Sequence, residues 1–219
     1  MRKIVNFANR GRENYLVGQP RLRFSLKTHA PDDELLFYTN GYPPNSPTHA
    51  EIPYAFKWFA MKEAIQQGAD KILWLDASVV VHKSIEPLWD IVNKRGVLVF
   101  DNPGCPEYFY TSEDCLNKLG CPMAEAEKIT QVCGGIVGIN MKSDIGQETF
   151  LQMYEWAKDP VLFSGGSNTS SHPKFIAHRH DQSCLSYLVH RDKIKREPFI
   201  ALRYTNDILP ETILELRGM

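Results

Sequence analysis

Three short stretches carry the side chains from which a reactive site is most readily built. The first is KILWLDASVVV, residues 71–81, where Asp76 and Ser78 interrupt a run otherwise suited to a buried strand. A carboxylate between two apolar runs is costly to bury without a partner, so either the chain surfaces at Asp76 or Asp76 holds something. The second is QVCGGIVGIN, residues 131–140, with Gly134 and Gly135 adjacent inside a strand-like segment. Glycine there marks a bulge, or a place where a ligand or another backbone comes close. The third is AHRHDQSCLSYLVH, residues 177–190, which sets His178, Arg179, His180, Asp181 and Gln182 in a row. By residue type alone, Asp76, His178, His180 and Asp181 suit a metal-dependent hydrolase. Each also has a plainer reading. Asp76 can cap a turn at a strand end, Asp181 can be a helix N-cap, and the histidines can lie in a polar surface loop.

The elements around these stretches alternate between β-type runs and helical patterns, as in an α/β domain. KIVNFA (3–8) and ELLFYT (34–39) read as strands, and GYPPNSPTHAEIP as a proline-rich loop. From Pro53 a helix is expected, with Tyr54, Trp58, Met61 and Ile65 on one face and Gly68 as its stop. Lys57 on that helix is most simply solvated or snorkelling. The strand at 71–75 follows at once and ends at Asp76, which places Asp76 where ligands bind open α/β sheets, outside the carboxyl ends of the strands. SIEPLWDIVNKRG (84–96) reads as a helix, VLVFD (97–101) as a strand and 102–129 as largely unpatterned apart from a short helix. A helix capped by Ser143 or Asp144 follows, with Phe150, Met153, Tyr154 and Ala157 on its apolar face. FSGGSNTSSHP (163–173) is either a surface loop or a lid over a site. The last helix begins near Asp181, with His178, Arg179 and His180 in the loop before it.

Composition narrows the classes. The 219 residues are enough to bury a sizeable core, and 43% hydrophobic with 23% charged is ordinary for a globular chain. Lysine and arginine number 25 against 26 acidic residues, a net charge of −1, without the basic excess that nucleic acid demands. Five cysteines with no C-x-x-C pair fit reduced thiols in a cytoplasmic protein better than a disulfide framework or a zinc knuckle. No stretch approaches the roughly 18–20 apolar residues of a membrane span, and MRKIVNFANRGREN turns polar too early for a signal peptide. The ending, ETILELRGM, lacks the character of a natural terminus, so the chain suits the first domain of a longer protein.

Taken together, YAFKWFAMKEAIQQGADKILWLDASVVVHKSIEPLW, GGIVGIN and HRHDQSCLS, in that order and spacing, resemble the GT-A-fold nucleotide-sugar glycosyltransferases. The resemblance covers roughly residues 1–190, and its strongest element is the helix–strand–D-x-(D)–strand block. Within that superfamily the Asp-Gln pair is similar to that of the retaining glycogenin and lipopolysaccharide galactosyltransferase type. The chain is also similar to amino-terminal glycosyltransferase domains of chlorovirus proteins that decorate the viral capsid.

The resemblance implies a single GT-A-type (Rossmann-like) α/β domain over 1–219, with a central mixed, mostly parallel sheet flanked by helices. It implies transfer of a sugar from a UDP-sugar donor to a glycan or glycoprotein acceptor, a viral capsid protein among them, in a host cytoplasm. It further implies a divalent ion, Mn²⁺ or Mg²⁺, at Asp76, at Ser78 in the second D-x-D position, and at His178 or His180. Ser78 is a departure, because a neutral hydroxyl holds metal more weakly than a carboxylate. Ala77 lies between the two, and Ala8, Asn9, Arg10 and Tyr15 match the loop that contacts the base. Lys57 and Arg179 are implied phosphate partners, and Gly134 and Gly135 let the backbone approach the sugar. Gln182 belongs at the anomeric carbon and Asp181 on sugar hydroxyls in a retaining enzyme; in an inverting one Asp181 is the general base. Two rivals stay open: the metal-dependent hydrolase, and a degenerate GT-A-like binding module in which Ser78 marks loss of the metal.

Overall fold

The computed structural model describes residues 1–9, 13–198, 202–203 and 209–217. The chain opens with β1 (Arg2–Ala8), α1 (Glu13–His29), β2 (Glu34–Thr39) and α2 (Phe56–Gln66). Next come β3 (Lys71–Leu75), β4 (Val79–Val81), α3 (Glu86–Arg95) and β5 (Val97–Pro106). Three short helices, α4 (Glu107–Tyr110), α5 (Glu113–Leu119) and α6 (Met123–Ala126), lead to β6 (Thr130–Asn140). The remainder is α7 (Asp144–Trp156), α8 (Pro160–Ser164), α9 (Asp181–Arg191), β7 (Leu202–Arg203) and β8 (Leu214–Leu216).

Five strands form the central sheet in the order β2-β1-β3-β6-β5. β1 pairs in parallel with β2 and β3, and β6 runs antiparallel to both β3 and β5. Four strands therefore point one way, and the mixed, mostly parallel α/β sheet matches the expected class. Period-two alternation sorts the side chains onto two cores. Ile72, Trp74, Val97, Val99, Val137 and Ile139 pack with α2, α7 and α9, while Leu73, Leu75, Leu98, Phe100 and Ile136 pack with α1 and α3. A smaller sheet, β4-β8-β7, closes over the second core. No helix among the described residues is long and apolar enough to cross a membrane.

Three sequence expectations shift. α2 starts at Phe56 rather than Pro53, because Tyr54 takes φ 62° and turns the chain just before it. β5 runs five residues past Asp101, to Pro106. The 13–29 segment was not expected to be helical: Gly18 and Pro20 interrupt its pattern, yet Leu22 and Leu26 are fully buried on one face of α1.

Gly18 explains how α1 positions the turn that follows β3. A Cβ there would lie 2.2 Å from the carbonyl oxygen of Ala77, so only glycine lets the helix lie against residues 76–78. We expect Gly18→Ala to destabilise the fold by about 1–3 kcal/mol, overpacking outweighing the ~1 kcal/mol gain in helix propensity. Denaturant titration checks this, and an unchanged or raised midpoint would contradict the close approach.

Candidate active site

Asp76 is the first residue beyond β3, but its pairing continues: its backbone N–H donates to the carbonyl of Gly135 at 2.8 Å. Trp74 and Asp76 are two residues apart, hence on one face, and the indole Nε1 donates to Asp76 Oδ1 at 2.6 Å. The adjacent glycines of β6 make room on both sides. A Cβ on Gly135 would stand 3.1 Å from Asp76 Oδ2, and one on Gly134 would stand 3.1 Å from Gln182 Cβ.

Beneath this surface lies a buried ion pair. Lys57 Nζ donates to Asp181 Oδ2 at 2.5 Å and to the carbonyl of Gly134 at 2.6 Å, with the two side chains 1% and 5% exposed. The expected roles of both change. Lys57 is neither solvated nor snorkelling, because the amino-terminal half of α2 is buried all round, and it faces protein rather than a phosphate. Burial alone would lower its affinity for a proton, but Asp181 and Asp76 outweigh that and hold it charged. Asp181, 3% exposed, is committed to that cation. Burial pushes the Asp76 carboxyl up, offset in part by Lys57 and the Trp74 N–H, while Asp181 adds to the rise.

Gln182, one residue on, is half-buried and faces outward. Its Nε2 donates to Gln131 Oε1 at 2.9 Å, which turns its own Oε1 to the Gly134 side. Arg179 stacks 3.8 Å over the ring of Tyr110 and donates to Cys105 Sγ at 3.4 Å.

Two clefts meet at Asp76. The first, about 270 Å³, is aromatic: Phe7, Tyr15, Tyr42, Tyr54, Phe56 and Trp74 line it, with Ala8, Asn9 and His49 at its polar side. The second, about 460 Å³, is the more polar of the two: Ser78, Asn102, Arg179, Gln182 and Arg217 line it together with Cys105, Cys133, Gly135 and Leu216. Asp76 is the only carboxylate lining either among the described residues.

The sequence candidates Ala8, Asn9, Tyr15, Asp76, Ser78, Gly135, Arg179 and Gln182 thus reach the clefts. Ala77 is fully buried against α1, Gly134 lies beneath Gln182, and Arg10 falls outside the described residues. Tyr42, His49, Tyr54 and Phe56 were missed, hidden in and just after a segment read only as a proline-rich loop. Their signal was aromatic density: Asn9 Nδ2 and the His49 N–H both donate to the Tyr42 hydroxyl, at 3.1 and 2.9 Å. Asn102 and Arg217 were missed too.

Three of the four ring nitrogens of the two histidines are engaged by protein groups. His178 accepts from the Ser112 N–H at 3.4 Å through Nδ1 and bonds the Leu162 carbonyl at 2.9 Å through Nε2, so both nitrogens are used. Burial, then the neighbouring His180, pushes its imidazole down to about 4. His180 bonds the Phe163 carbonyl through Nδ1 at 2.7 Å. Of the two readings of 163–173, surface loop or lid, the contacts favour the loop: Ser167 and Ser171 bond Asp114 and Glu113 of α5. Among the described residues no group of three or more His, Cys, Asp or Glu is placed to hold an ion. The donor set implied for Mn²⁺ or Mg²⁺ reduces here to the single carboxylate of Asp76 beside a neutral hydroxyl, which does not fit a tightly held divalent ion.

Among solved structures, a glycosyltransferase involved in the glycosylation of the major capsid of PBCV-1 superposes with a TM-score of 0.56. The match covers 98% of this chain and 93% of that one at 11% identity. The fold is that of the GT-A glycosyltransferases. A galactosyltransferase, LgtC, solved with donor and acceptor sugar analogs, aligns over 98% of this chain and 86% of its own at 16% identity and a TM-score of 0.48. No protein-family model matches the chain, and no curated protein does. At these identities the likeness is one of fold, and the site must be argued from its own geometry.

Glu107 is buried behind Gln131. It accepts from Thr111 Oγ1 at 2.6 Å, and burial, outweighing the hydrogen-bonding of Thr111 and Gln131, pushes the carboxyl up to about 8. Unfolded, it ionises near 4.5, so between the two values the folded state keeps a proton that the unfolded state has lost. Stability therefore falls as pH rises through that window. We expect Glu107→Gln to gain on the parent protein by about 2–4 kcal/mol between pH 4.5 and pH 8, measured by denaturant titration across that range. A difference that stays flat with pH would contradict the raised carboxyl.

Proposed function

We propose that the chain is a glycosyltransferase that moves a sugar from a UDP-linked donor to a glycan or glycoprotein acceptor with retention at the anomeric carbon. The observation that carries this reading is the meeting of an aromatic and a polar cleft at Asp76, at the carboxyl ends of β1 and β3. Flat aromatic walls suit a nucleobase, and the polar cleft beyond suits a diphosphate and a sugar. Asp76 lies at the junction, where the ribose and diphosphate of such a donor would fall.

As the bond from the anomeric carbon to the diphosphate breaks, positive charge grows on the sugar and negative charge on the leaving oxygen. Gln182, its amide fixed by Gln131, offers Oε1 to the sugar, and Arg179 offers charge to the phosphate. Asp181 is occupied by Lys57 and is ill-placed to take a proton from an acceptor, which favours retention over inversion. Its part is to set the start of α9. The acceptor proton passes instead to the departing phosphate oxygen on the same face.

The reading is tested by incubating the protein with a panel of UDP-sugars, with a capsid glycoprotein and free glycans as acceptors. Release of UDP and a product with the donor's anomeric configuration, read by nuclear magnetic resonance, is expected, and Gln182→Ala should slow it by about 10²-fold or more. Binding without turnover would favour the degenerate binding module. Release of phosphate from simple esters would favour the hydrolase.

A further inference from the structure

The polar cleft holds more positive charge than a diphosphate bridged by a divalent ion needs, and less carboxylate than the ion needs. Two guanidiniums line it, and a third stands behind its Ser78 wall. Arg179 lines it with no carboxylate in ion-pair distance among the described residues, held only by the Tyr110 ring and Cys105. Arg217 lines it from the end of β8, its Nε and Nη2 each 3.0 Å from the buried Glu215. Arg21 of α1 reaches the same wall, donating through Nη2 to the Ser78 carbonyl at 3.2 Å while its buried Nε has no partner. Arg217 also acts on Arg21: burial first, then the charge of Arg217, makes Arg21 a weaker base than usual, with Glu215 opposing. Against these three cations stand the carboxylates of Asp76 and Glu215, and Glu215 is shared with His82 at 2.8 Å. An anion in the cleft would relieve this imbalance, whereas a divalent cation would add to it.

We propose that the guanidiniums of Arg179 and Arg217, backed by Arg21, hold the diphosphate of a nucleoside diphosphate in this cleft, and that binding needs no divalent metal ion. The inference rests on the donor reading above and departs from the metal site that the resemblance implies. Arginine suits a diphosphate because it stays charged and its planar fork meets two phosphate oxygens at once. Arg179 is pre-set by its stacking on Tyr110, so little side-chain freedom is lost on binding.

The test is calorimetric titration of UDP and, separately, uridine, each with EDTA and with Mn²⁺. The expected result is UDP affinity in EDTA within about threefold of that in Mn²⁺. UDP affinity should fall as salt is raised while uridine affinity does not. Arg179→Gln should weaken UDP by tenfold or more and leave uridine nearly unchanged, with circular dichroism confirming its fold. The salt titration needs no substitution, so the outcome does not hang on a variant that fails to fold. UDP binding that appears only with Mn²⁺, or Arg179→Gln binding UDP as the parent does, would overturn the proposal and leave the donor reading standing. Failure of both UDP and uridine to bind in either buffer would remove the donor reading and this proposal with it.

Discussion

The buried pair of Lys57 and Asp181 is the constraint on which the site depends. It joins α2 to the first residue of α9, and through the Gly134 carbonyl it joins both to the centre of β6. Two charges out of water are tolerated only when each finds its partner and the remaining protons find acceptors. Here the pair is closed to solvent, so α9 has one place to begin. Gln182 and Arg179, on either side of the pair, are thereby delivered to the cleft rather than left to a mobile loop. The same ammonium stands near Asp76, which ties the charge of the strand end to that of the helix start.

The rest of the arrangement follows from how closely backbones approach. Glycines at 18, 134 and 135 bring α1, Asp76 and Gln182 to within contact of the sheet end, where side chains would hold them apart. The carboxyl ends of β1 and β3 then open onto two clefts of different character, one walled by aromatic rings and one by guanidiniums and amides. That division is the basis of the donor proposed above.

Much of this was legible in the sequence where a physical rule acts locally. The run into Asp76 marked a strand end, the double glycine of β6 marked a close approach, and Asp181 marked the start of α9. What was not legible depended on tertiary surroundings. Lys57 looks like a surface residue because a helix face says nothing of what packs on the opposite side, and here both sides are covered. His178 offers ligand chemistry by type, yet the Ser112 N–H and the Leu162 carbonyl use both its nitrogens. α1 was hidden by Gly18 and Pro20, residues that argue against a helix by propensity but are overridden by the burial of Leu22 and Leu26. Arg217 comes to the cleft only because β8 pairs with β4, a contact between segments far apart in the chain.

The most direct test of the account is a double-mutant cycle on the buried pair, with Lys57→Met, Asp181→Leu and the double variant followed by denaturant unfolding. If the pair is the keystone, each single exchange strands a buried charge and costs about 3–5 kcal/mol, while the double variant costs less than the two together by about 2 kcal/mol or more. Strictly additive losses would mean that Lys57 and Asp181 act independently, and that α9 is set by something other than their contact.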